Sequence, residues 1–113
     1  MTIQAQNLFD RLPANLDDEI FEPILSRDDL RIERIISRGH SSPESGWYDQ
    51  SQGEWVLVLS GAAVIAYEGG EEVRLCAGSH LDIPPHTRHR VKWTDPDTET
   101  IWLAVHYGVL AEE

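Results

Sequence analysis

The chain has 113 residues, 41% of them hydrophobic, which fits one globular domain and leaves no room for a second core. Twenty acidic side chains against nine lysines and arginines give a net charge of −11, and a surface of that sign repels nucleic-acid backbones and anionic membranes. A lone cysteine, Cys76, excludes an internal disulfide; no apolar run approaches the ~20 residues of a membrane helix, no signal-peptide pattern opens the chain, and the expected compartment is the cytoplasm.

Residues 1–29 stand apart from the rest. Pro13 and Pro23 interrupt short apolar pieces such as Leu8-Phe9 and Ile20-Phe21, and seven acids (Asp10, Asp17, Asp18, Glu19, Glu22, Asp28 and Asp29) crowd the segment. This predicts an irregular N-terminal arm of turns, with one or two helical turns, ahead of a β domain over 30–113. From Leu30 the hydrophobic period becomes two. Strands are expected over 30–37, 54–60, 62–68, 71–76, 80–83, 87–94 and 100–107, separated by turn signals at Gly61, Gly69-Gly70, Gly78, Pro84-Pro85 and Asp95-Pro96-Asp97. Short strands at that spacing argue for an all-β barrel or sandwich. In the run from Trp55 to Leu59 both faces are apolar. One face fills the interior; the other, carrying Trp55, Leu57 and Leu59, needs cover from the arm or from a second copy, and a homodimer is expected.

Two spacings carry more specific information. Glu54 stands seven residues before Gly61 with an apolar strand between them, and Gly78, Pro84 and His89 are spaced in the run G-S-H-L-D-I-P-P-H-T-R-H. Together these resemble the two motifs of the cupin family, over residues 47–93, and the whole chain looks like a small bacterial single-domain cupin. The resemblance implies an antiparallel jelly-roll barrel with one central pocket. It further implies a site in which three histidines and one glutamate hold Fe, Mn, Ni, Cu or Zn, with Glu54 and His89 as the retained ligand positions.

The departures from the family pattern bear on function. The paired histidines of the first motif are replaced within Trp47-Tyr48-Asp49-Gln50, so either Trp47/Asp49 or Tyr48/Gln50 stands in their place, depending on the spacing that applies. The glycine of the second motif is His86 and its asparagine is Trp93. Two retained ligands underligate an ion; Asp49 is the expected third, with Gln50 a neutral alternative. Tyr48, Gln50, His86 and Trp93 are expected at the pocket, His86 as an acid/base at its mouth. Trp93 should point inward with His89 and Val91 because strand residues alternate. His40, His80 and His106 have no motif position and are read as structural or surface residues, and Cys76 as a small apolar one. The expected function is a pocket binding a divalent metal, a small organic molecule or both, in small-molecule metabolism. A metal-free ligand-binding or sensing module is the alternative.

Overall fold

The computed structural model describes residues 3–108. Among them there is no helix; eight strands make up the fold, β1 (Ile20–Arg27), β2 (Leu30–Ser37), β3 (Gly53–Ser60), β4 (Ala62–Tyr67), β5 (Glu72–Cys76), β6 (His80–Ile83), β7 (His89–Thr94) and β8 (Thr100–Tyr107). All pairings are antiparallel. Five strands form one sheet in the order β1-β2-β8-β3-β6, and three form a second in the order β5-β4-β7. The chain passes between the sheets at Gly61, whose φ of 95° and close approach to Thr100 exclude a side chain there. No ladder joins the edge strands of the two sheets, so the hydrogen bonding describes two facing sheets.

The core lies between them. Val56 and Val58 of β3, Ile35 of β2, Trp102 and Ala104 of β8, Ala63 and Ile65 of β4 and Leu75 of β5 form one buried cluster. Each sheet contributes alternate residues of its strands, as the pleat requires.

The N-terminal arm is more regular than its composition suggests. Its described residues contain no helix, and its second half is strand β1, which pairs with β2 from Ile20↔Ile36 to Arg27↔Leu30. Pro23 is accommodated because β1 is an edge strand and the register shifts between Pro23 and Leu25, where a missing N–H leaves no gap in the ladder. The first half of the arm is tied to the outer face of β2 by Arg34. This arginine is 6% exposed and donates to the carbonyls of Leu8 (2.9 Å) and Asp10 (2.6 Å) and to the Glu22 carboxylate (2.6 Å). Trp55, Leu57 and Leu59 are only half-buried, whereas the large apolar side chains most open to solvent include Phe9 in the arm and Phe21 and Ile24 on β1.

The segment 38–52 lies along the free edge of β7. Ser42 and Val91 exchange hydrogen bonds, Tyr48 and His89 form a two-way backbone bridge, and the Arg90 guanidinium donates to the carbonyls of Pro43 and Glu44. Partnering an otherwise open sheet edge fixes this segment and turns its side chains toward the space between the sheets.

Candidate functional site

A cavity of about 300 Å³ opens between the two sheets. Its deep wall is apolar, built from residues such as Ile35, Val56, Ile65, Val91 and Trp102. Polar groups gather at the other end because three neighbouring strands place them in one row. Arg31 of β2 is opposite His106 of β8, and His106 is opposite Glu54 of β3. Residues directly opposite in a ladder share a face, so the three side chains stand together. His89 joins them from β7, across the gap between the sheets.

His89 and Glu54 form the best-defined pair. The His89 Nε2 lies 3.6 Å from Glu54 Oε1, and both side chains are largely buried. The other ring nitrogen, Nδ1, is 2.7 Å from the Thr87 carbonyl oxygen, which can only accept. Nδ1 therefore carries a proton, and Nε2 meets the carboxylate favourably only when a second proton lies between them. Burial by itself would lower the His89 pKa, but the Glu54 carboxylate and the Thr87 carbonyl outweigh it and hold the imidazole above its ordinary 6.5. When His89 is protonated, its Nε2–H therefore faces the Glu54 carboxylate beside the cavity. Glu33 and His106 make a second such contact, Oε1 to Nε2 at 3.3 Å, and Glu33 also lies 3.2 Å from the Arg31 Nε.

The placement of the expected site residues follows from strand alternation. Tyr48 and Gln50 line the cavity and Asp49 does not. Asp49 faces outward. Its carboxylate is 2.8 Å from His86 Nδ1 and 3.4 Å from Arg88 Nε, and His86 foremost, with Arg88, holds that carboxyl below its usual range. His86 lines a separate recess with Tyr67, Glu68 and Arg88. It also adopts a φ of 59°, which a residue with a Cβ takes at a cost, at the position where the family motif has glycine.

Trp93 is likewise turned away from the cavity. On β4 the consecutive residues Val64 and Ile65 pair with Trp93 and Val91, so Lys92 is an extra residue in β7. This bulge reverses the alternation after Val91, putting Trp93 on the outer face beneath the Arg74 guanidinium, 5.1 Å from its ring centroid, and Thr94 inside. His106, which has no motif position, is 5% exposed and lines the cavity. The sequence did hold a signal for it, since the β-branched and apolar alternation of the last strand puts His106 on the face of Trp102 and Ala104. His80 and His40 stay outside, His80 beside the Trp55 ring and His40 in the β2–β3 connection.

The family model for the cupin domain matches residues 35–106. The chain belongs to the cupin domain family. The solved structure of a Ralstonia eutropha protein with the provisional name mannose-6-phosphate isomerase is 49% identical, covers 93% of this cupin and 98% of its own chain, and superposes with a TM-score of 0.88. An RmlC-like cupin from Desulfovibrio desulfuricans (16% identity, 94% and 97% covered, TM-score 0.74) and a cupin superfamily protein from Desulfitobacterium hafniense (18%, 85% and 83%, 0.70) share the fold. No curated protein matches the sequence.

Whether this cupin's residues suit a divalent ion can be judged from the donors. Glu54 and His89 face each other, but Asp49 is bound to His86 on the far side, Gln50 offers a neutral amide, and His106 is engaged by Glu33. Among the described residues no three His, Cys, Asp or Glu side chains converge as metal ligands. The donor set does not fit the family's usual ion, for which three or four protein ligands are needed.

Proposed function

We propose that this cupin binds a small organic molecule between its sheets and acts on it, or senses it, through the facing acid/base groups of Glu54 and His89, without a resident metal. The observation that carries the reading is the fixed tautomer. With Nδ1 held by the Thr87 carbonyl, Nε2 is the only ring position able to exchange a proton with a guest, and Glu54 supplies a base 3.6 Å away. The gap is longer than a hydrogen bond, so the two groups are not consumed by each other and can both turn to a bound molecule. The name of the Ralstonia relative supports the small-molecule part of this reading.

Two measurements test it together. In protein purified without chelators or a histidine tag, bound Mn, Fe, Ni, Cu and Zn should be far below one equivalent in the parent and in His89→Ala alike. In the same protein, the His89 ring signal should titrate above 6.5, and Glu54→Gln should move it back down. One equivalent of metal, lost in His89→Ala, would instead establish a metal centre at Glu54 and His89 and overturn the reading.

A further inference from the structure

Resting on the small-molecule reading of the cavity, we infer that its ligand is an organic carboxylate, with the charged end at Arg31 and an apolar body along the Trp102 wall. Among the described residues three buried side-chain polar atoms have no hydrogen-bond partner, and two of them, Arg31 Nε and Trp102 Nε1, belong to residues that line this one cavity. Both are donors without an acceptor, and buried donors normally find one.

Arg31 is the more demanding of the two. Its Nε is 3.2 Å from Glu33 Oε2 but misaligned for a hydrogen bond, and Glu33 is shared with His106. Among the described residues the two terminal nitrogens make no hydrogen bond or ion pair, and the side chain is 38% exposed at the mouth, leaving that edge of the guanidinium open to a guest. A planar fork of this kind matches the two oxygens of a carboxylate. The rest of the wall limits the guest's charge. Among the described lining residues Arg31 is the one arginine or lysine, while Glu33 and Glu54 place two carboxylates on its part of the wall and Glu19, bonded to Ser37, adds a third at the far end. A monoanion can be held there by one guanidinium, whereas a phosphate dianion meets added repulsion and too few donors. Deeper in, Ile35, Val56, Ile65 and Val91 accept only an apolar body.

Three probes of similar body separate the possibilities: benzoate, benzyl alcohol and phenyl phosphate, titrated into the full chain by calorimetry and by the indole N–H resonance of Trp102, assigned with Trp102→Phe. Benzoate should bind about tenfold or more tighter than benzyl alcohol and shift the Trp102 signal. Arg31→Gln should remove that advantage while leaving benzyl alcohol unchanged, and Arg31→Lys, which keeps the charge without the fork, should restore part of it. Equal binding of benzoate and benzyl alcohol, insensitivity to Arg31→Gln, or tighter binding of phenyl phosphate would overturn the carboxylate while leaving the cavity reading intact. If none of the three binds, the cavity reading fails and the carboxylate with it.

Discussion

His89 enters the cavity with Nδ1 already committed to Thr87, and this has a consequence for stability as well as for chemistry. Its folded-state pKa lies above the ordinary 6.5, so the bound proton stabilises the fold fully below that value. The contribution is lost as pH rises through the raised pKa. Denaturant unfolding followed from about pH 6 to 9 should therefore show stability falling with pH, and Glu54→Gln should flatten the fall, because the carboxylate that raises His89 is gone. A parent profile no steeper than the variant's would contradict the hold of Glu54 on the His89 proton. At His86 the expected change has the opposite sense. Glycine accepts its φ of 59° without the Cβ cost of ~1–2 kcal/mol, and the exposed contact with Asp49 is screened by water, so His86→Gly should melt at or above the parent temperature. A melting point several degrees lower would show that the contact with Asp49 outweighs the strain. At this scale the sequence was only partly legible. Motif spacing led to Glu54 and His89, whose inward faces follow from alternation; the roles of Asp49 and Gln50 depended on a loop register that no spacing states.

Among the elements, seven of the eight strands follow directly from period-two patterning and glycine punctuation, and β2, β6 and β8 fall within the expected bounds, end to end. Strand β1 was hidden because Pro23 and a run of acids mask it, and because edge strands tolerate both. The jelly-roll closure inferred from the family is not expressed in the strand pairing, where two sheets remain distinct. The link between β3 and β4 is the most sensitive joint. A Cβ built on Gly61 would lie 2.6 Å from Thr100 Cα and 2.8 Å from the Glu99 carbonyl oxygen, both backbone atoms that cannot turn aside. Gly61→Ala should cost about 2 kcal/mol or more, seen as a loss of roughly 8 °C or more in Tm by calorimetry. A loss of under a degree would mean that the crossing between the sheets can move.

For the whole molecule, the arm works as a fastener more than as a lid. Removing residues 1–12 takes away the carbonyls of Leu8 and Asp10 and leaves the Arg34 guanidinium with Glu22 alone, at a cost of about 1–3 kcal/mol. The cavity residues Glu19 and Phe21 lie beyond the cut, so benzoate affinity should stay within a few-fold of the parent. Lost affinity in a deletion that still unfolds cooperatively would show that the arm helps to shape the cavity. The half-buried Trp55, Leu57 and Leu59, which point away from the core face of Val56 and Val58, remain as surface for a second copy. Light scattering at micromolar concentration should give about twice the 12.8 kDa chain mass, and a constant monomer mass across dilution would remove the dimer.

The extra residue at Lys92 has a bearing on how chains of this kind can vary in length. With Lys92 present, Val91 faces in, Trp93 out and Thr94 in. With it removed, simple alternation gives the same three assignments, so this is a place where the chain can shed one residue without any neighbour changing sides. One residue lost or gained between His89 and Val91 has the reverse effect, carrying one part of the strand to the wrong face. Spacing counted across β7 therefore measures the number of residues and not the wall to which they belong.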